Sequence, residues 1–164
     1  MAAATMTAQQ SVSAKLAECY VTYNGRRYNM MNAINLEATV ELQKSDVPIL
    51  GKTAVGKKPN GWEGTGSATF HFNNSLFRSM INSYKKSGKF IFFDMEIVNS
   101  DPTAAIGSQI VKLKNCCMDS VVLAKFDASS DDALEEDMDF TFDDFEYAKG
   151  FANMPGFDMG EIKK

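Results

Sequence analysis

Few residues of this chain could do covalent or metal chemistry, and they are scattered. His71 is the one histidine. With no second His and no cysteine pair at ligand spacing, a metal site or a Cys/His pair would have to assemble from distant segments. His71 follows Thr65, Ser67 and Thr69 at intervals of two, and reads as a strand histidine on a polar face. The cysteines number three. Cys116 and Cys117 are adjacent, so their side chains point to opposite faces of a strand, and all three read as reduced thiols. Gly51-Lys52-Thr53 resembles the end of a phosphate-binding loop, but Asp46 stands where the motif needs its first glycine. Residues 127–139 carry enough carboxylates to suggest calcium, yet they lack the central glycine and regular oxygen ligands of a calcium loop. Asn73-Asn74-Ser75 is a glycosylation string, which bears only on a secreted chain. No catalytic constellation survives. The expectation is a protein that is not an enzyme and takes no cofactor, metal or small-molecule ligand.

What the titratable residues can do is set a field. The net charge is -4, and residues 127–146 hold many carboxylates but no Lys or Arg. Basic residues cluster instead in 51–58 and 84–89. A protein that grips nucleic acid needs a basic surface, because phosphate neutralisation supplies most of the affinity. This chain is poorly suited to holding DNA and better suited to letting it pass. Within residues 134–147, Met138, Phe140 and Phe142 alternate with Asp137, Asp139, Thr141 and Asp143. That is a strand with one apolar and one acidic face. The phase breaks at Asp143-Asp144 and resumes at Phe145 and Tyr147, which predicts a β-bulge there.

The elements that must position these residues are mostly strands. A chain of 164 residues reads as one domain, able to bury roughly 70% of its unfolded surface without disulfides. No run approaches the length of a transmembrane helix. Residues 1–15 lack the basic start and apolar core of a secretory signal and read as a loose arm. Strands are expected at 16–23 and 26–31, joined by Asn24-Gly25, a strong hairpin signal. Residues 34–43 alternate cleanly. Ile34, Leu36, Ala38, Val40 and Leu42 form one face, and Asn35, Glu37, Thr39, Glu41 and Gln43 the other. The apolar face is expected against the subunit's own core.

Residues 45–62 hold three glycines and two prolines and read as a long interaction loop carrying Lys52, Lys57, Lys58 and apolar points up to Trp62. Trp62 is either an aromatic anchor at the loop root or part of an interface. Residues 63–72 alternate again, so the two flanking strands form one long hairpin with a large tip. Residues 74–87 are the one convincing helix. Asn74 is its cap, Leu76, Phe77, Met80, Ile81 and Tyr84 its apolar stripe, and Gly88 its stop. Further strands are expected at 89–99, 107–115 and 118–126, before the acidic strand. Residues 148–164 read as a tail. The fold class is mainly β, an antiparallel sandwich or small barrel with one flanking helix, spanning 16–147.

Three stretches in order carry a resemblance. Gly61-Trp62-Glu63-Gly64-Thr65-Gly66-Ser67-Ala68-Thr69-Phe70 resembles the glycine-rich strand entry of tail tube proteins from contractile-tailed phages and prophages, in particular the PBSX-like type. Ala133-Leu134-Glu135-Glu136, followed by Phe140-Thr141-Phe142-Asp143-Asp144-Phe145, resembles that family's final acidic strand, and Tyr84-Lys85-Lys86-Ser87-Gly88 its helix end. The likeness covers about residues 25–146. It implies six copies closing into a ring, with rings stacked into a hollow tube around a continuous inner β-barrel. It also implies a sheath, a baseplate hub or tube initiator, a tape-measure protein and a terminator as partners. DNA would be only passing cargo, and the protein would be made in the host bacterial cytoplasm and carried in the virion tail or tail-like particle. R-type bacteriocins use similar tubes.

The residues support the same picture independently. Long strands with wet faces leave open edges that must be paired, and pairing them between subunits makes a barrel wall. On that reading Asn35, Glu37, Thr39 and Glu41, with Thr65, Ser67, Thr69 and His71, lie near the lumen. Carboxylates there would repel phosphates over roughly 8–10 Å. The basic loop with Lys52, Lys57, Lys58 and Trp62 would stack one ring on the next, against an acidic patch of Asp131, Asp132, Glu135, Glu136 and Asp137. The other readings are a type VI-like secreted carrier ring and a monomeric β-sandwich binding module.

Overall fold

The computed structural model describes residues 4–160; residues 1–3 and 161–164 of the expected arm and tail lie outside the described residues. After a 3-10 turn at Ala8–Gln10 come β1 (Ala17–Tyr23), β2 (Arg26–Asn29), β3 (Ala33–Val47) and β4 (Gly56–His71). The helix α1 (Leu76–Ser87) follows, then β5 (Phe93–Ser100), β6 (Ser108–Met118), β7 (Glu135–Phe142) and β8 (Asp144–Lys149). Every pairing is antiparallel, in the order β2-β1-β5-β6-β7-β4-β3 with β8 on β6. The sheet is open and turns back on itself, so both halves feed one core. Val21 and Phe93 come from one half, Phe70 and Phe140 from the other, and Phe77 and Met80 of α1 join them. This is the mainly-β, antiparallel fold with one helix that the alternation predicts.

The Asn24-Gly25 turn forms as expected, with positive φ at both residues. The helix stops at Gly88 in the left-handed conformation, and Asn74 Oδ1 accepts the Leu76 N–H at 2.8 Å. The sheet turns its corner at β6. Ile110–Lys114 of this strand pair with β8, while Cys117 and Met118 pair with β7. Between them Asn115 takes φ 54, and its side-chain amide donates to Asp143 Oδ1 at 2.9 Å. Asp143 is where β7 gives way to β8. Across Asp143-Asp144 the register with β6 is kept, with Cys117–Thr141 on one side and Lys114–Asp144 on the other, while the ladder to β4 ends at Phe142, so the phase break is where the strand leaves β4. It is not one extra residue within a single ladder.

Four further expectations change. Residues 45–62 are not a loop: β3 runs to Val47 and β4 starts at Gly56, leaving only residues 48–55 as the tip. Backbone pairing carries on where side-chain alternation stops. The register skips Asn60 between Gln43–Gly61 and Lys44–Pro59, which lets the ladder tolerate a proline with no N–H. Residues 119–134 contain no strand. The strand expected from residue 89 starts only at Phe93; ahead of it Phe90 packs edge-to-face with both Tyr84 and Phe92. Finally, residues 4–15 are tied down: Ala105 N donates to Gln9 O at 2.8 Å and Ser13 N to Asp101 Oδ2 at 2.9 Å.

Candidate assembly surfaces

Glycine brings β7 close to β4. Gly64 lies opposite Phe142 and Gly66 opposite Phe140. A Cβ at either glycine would stand inside the neighbouring phenyl ring. The rings thus lie flat over bare backbone, which holds β7 in register and fixes its other face. Met138, Phe140 and Phe142 are buried, so the alternating carboxylates of β7 must point the opposite way.

That opposite face is shared by three strands. Asn35, Thr69 and Asp137 lie across from one another, as do Glu37, Ser67 and Asp139, then Thr39, Thr65 and Thr141. Glu41 is opposite Glu63, and His71 opposite Glu135. All eight residues expected at a lumen therefore share one face. Thr69 Oγ1 donates to Asp137 Oδ1 at 2.7 Å. Glu37, Thr39, Thr65, Ser67, Asp119 and Asp139 line a shallow open depression of ≈ 400 Å³. Sequence reasoning missed the third strand of this face. The signal was present, because Asp137 and Asp139 are out of phase with the buried Met138 and Phe140, but the pairing of β7 with β4 cannot be read from one strand alone.

The five residues of the expected acidic patch do not stay together. Asp131 and Asp132 are exposed in the loop before β7, while Glu135 and Asp137 belong to the three-strand face. Glu136 does not belong to any outer patch. It is 4% exposed, and Arg78 of α1 donates to its Oε2 at 2.8 Å. Its parity with Met138 explains this. Burial pushes the Glu136 carboxyl up, and the Arg78 charge and hydrogen bond pull the other way. Arg78 also donates to the carbonyls of Val122 and Asn74 and lies over the Phe72 ring, so it ties α1 to residue 122 and β7.

The expected loop set divides as well. Lys52 sits at the hairpin tip, but Lys57, Lys58 and Trp62 are on β4. Lys57 is ion-paired with Asp46 across the hairpin. Trp62 packs edge-on against Phe145 at 5.5 Å between ring centroids, so it is neither a loop anchor nor fully enclosed. The apolar face of β3 does not reach the subunit core beyond Leu36: Val40, Leu42, Trp62, Phe145 and Tyr147 are all exposed. Cys116 and Cys19 are buried, which pushes their thiols up to about 12 and about 11. Among the described residues, no group of three or more His, Cys, Asp or Glu could hold a metal ion. No helix of the described chain is long and apolar enough to cross a membrane.

A subunit whose polar chemistry is spread over a three-strand face, one of whose strands, the 15-residue β3, has its outer edge unpaired among the described residues, has the design of a structural assembly protein. Comparison with known proteins gives the class its name. A family profile described as "Phage tail tube protein" matches residues 4–149. The chain is 35% identical over 141 residues to the phage-like element PBSX protein XkdM of Bacillus subtilis (strain 168), covering 86% of this chain and 92% of the relative. It is equally similar to the protein YqbM of the same strain. Among solved structures it resembles a chain of the anti-feeding prophage baseplate, with a TM-score of 0.63 at 12% identity over 83% of this chain and 93% of the other. It also resembles a chain of the sheath-tube complex of the extracellular contractile injection system PVC, with a TM-score of 0.59 at 13% identity over 78% and 86%. This chain belongs to the phage tail tube protein family. It is a structural, tube-like component of a phage tail or tail-like particle.

Proposed function

We propose that six copies of this chain close into a ring and that rings stack into the inner tube of a contractile tail, with the β3–β4–β7 face lining the lumen. One observation carries this reading. The face bearing Glu37, Glu41, Glu63, Asp137 and Asp139 is continuous across three strands and ends at the unpaired edge of β3. An exposed edge of that length invites pairing, and closing it against a neighbouring subunit extends the acidic face into a barrel wall. The wall carries carboxylates and hydroxyls without a Lys or Arg among the paired positions from Asn35–Thr69–Asp137 to Glu41–Glu63. DNA phosphates would be held off it rather than bound.

The outer part of the β3–β4 hairpin takes the ring-to-ring contact. β7 covers β4 only over residues 64–71, so the rest of the hairpin is a two-stranded ribbon, which is marginal in water on its own. Its exposed Leu42, Val47, Ile49 and Leu50 would be covered by the adjoining ring. Other tail components follow from the same role: a sheath outside, a hub or initiator at one end, a terminator at the other and a tape-measure protein inside. The protein would be synthesised in the bacterial host and incorporated into the particle. Electron microscopy of the purified protein is the test. The expected result is tubes with six-fold symmetry and Glu37 and Glu41 facing the channel. Discrete unstacked rings would favour a carrier ring, and a monomer at all concentrations would overturn the reading.

A further inference from the structure

At the far end of α1 the surface changes character. Tyr84, Ile91 and Phe92 are 47%, 46% and 53% exposed. Partly buried Phe90 links two of them into a ledge, edge-to-face with Tyr84 at 5.9 Å and with Phe92 at 5.4 Å, and Ile91 lies between the two phenylalanines in the chain. Lys85, Lys86 and Lys89 stand exposed around it, and none makes an ion pair among the described residues. Lysines in the last turn are ordinary partners for a helix dipole. Exposed aromatics held against one another in the same place are not, and an apolar patch with a polar rim marks an interaction surface.

The complement is on the same chain. The irregular stretch before β7 exposes Leu123 and Phe126, at 69% and 89%, and beside them Asp127, Asp131 and Asp132, with Lys125 the one cation of residues 119–134. Its two ends are moored at the other end of the helix. Arg78 Nη1 donates to Val122 O, and Phe72 N donates to Leu134 O at 2.9 Å. The 12 residues of α1 span about 18 Å. That length separates the ledge from the moorings, and the exposure of Leu123 and Phe126 shows that they do not cover the ledge of their own subunit.

We propose that the lysine-rimmed aromatic ledge at the C-terminal end of α1 docks the acidic, apolar stretch 123–132 of a second copy of this chain. The contact is heterologous, so it propagates from subunit to subunit as ring closure or stacking requires. Leu123 and Phe126 would cover Tyr84, Ile91 and Phe92, while Asp127, Asp131 and Asp132 meet Lys85, Lys86 and Lys89. It places the basic partner of the acidic loop on the helix end rather than on the β3–β4 hairpin, where Lys57 is already paired with Asp46.

This inference rests on the tube reading, and a charge swap separates the two. The Lys85→Glu, Lys86→Glu, Lys89→Glu variant and the Asp127→Lys, Asp131→Lys, Asp132→Lys variant are each expected to remain folded monomers, checked by circular dichroism. Each should need about ten- to a hundredfold more protein to form sedimentable tubes at physiological salt, as expected for a few exposed pairs acting together. A chain carrying all six changes should assemble again. If the wild type does not assemble, the tube reading itself fails. If the wild type assembles and the lysine variant does so equally well, the ledge is not an assembly surface. If the lysine variant is lost and the six-fold swap does not restore it, the ledge binds something other than residues 123–132. The latter two outcomes each overturn this inference while leaving the tube intact.

Discussion

The two halves of β4 belong to one strand and have one partner in common, β3, yet they face different problems. From Gly64 to His71 the strand lies between β3 and β7 and buries Ala68 and Phe70 under α1. From Gly56 to Glu63 it is paired with β3 alone and leaves Leu42 and Trp62 in contact with solvent. The first half is bound by the rules of folding, where a methyl group too many or a missing counter-ion is felt at once. On the proposed tube, the second is bound by the rules of association, where a change would cost the monomer little and the assembly much. If that contrast is right, substitutions of similar size will give opposite readouts depending on which side of Gly64 they fall.

The largest effect is expected where α1 meets β7. Arg78→Ala leaves the Glu136 carboxylate buried without its partner, which costs about 3–5 kcal/mol. In a domain of this size that is a fall in Tm of roughly 6–20 °C. The loss should depend on pH. The Glu136 carboxyl already sits above its ordinary value, chiefly through burial, and removing Arg78 raises it further. A carboxyl raised on folding contributes most below its unfolded pKa and loses that contribution as pH climbs to the folded value. The variant's deficit relative to wild type is therefore greatest at neutral pH and shrinks on acidification. Urea melts at pH 7 and in the acid range check this, and a deficit that is flat with pH would remove the buried charge from the account.

Next comes the glycine seat. Gly66→Ala places a methyl group where the Phe140 ring lies, and overpacking of this kind costs about 1–3 kcal/mol. Its partner tests the cause: Phe140→Leu in the Gly66→Ala background should recover part of the loss in a double-mutant cycle. Additive effects would mean that the ring and the glycine are independent.

On the other side of the divide, Leu42→Glu should leave monomer stability within about 0.5 kcal/mol, because Leu42 is 55% exposed. Tube formation, followed by sedimentation and microscopy, should be lost. A variant that melts early and a variant that assembles normally would each break the comparison between the halves.

The strand alternation, the Asn24-Gly25 turn, the α1 stripe with its Gly88 stop and the buried Met138, Phe140, Phe142 series were legible in the sequence, because each depends on neighbours within a few residues. What depends on which strand lies beside which was not. Glu136 could have been assigned inward by its parity with Met138, but its acidic context masked a partner 58 residues away on α1. Lys57, Lys58 and Trp62 look like loop residues because Gly56, Pro59 and Gly61 suppress the strand signal, yet the backbone ladder to β3 holds them extended. The acidic strand and the hairpin were expected to serve different surfaces, whereas the β4–β7 register puts their polar residues on one.

That shared face supplies the smallest effect and the most direct reading of its purpose. Glu41 and Glu63 are directly opposite on neighbouring strands, an arrangement that disfavours the fold, because like charges across a ladder repel. Glu41→Gln keeps the side chain's size and removes the repulsion, so the monomer should gain about a few tenths of a kcal/mol. The gain should be visible at low ionic strength and fade as added salt shortens the screening length to a few ångströms. A gain that persists in high salt would trace to packing instead. On the proposed tube, the pair would belong to a wall that has to stay clear of phosphate. The same Glu41→Gln tubes should then retain more added DNA than wild type at low salt, by an amount that disappears with the stability gain as the salt is raised.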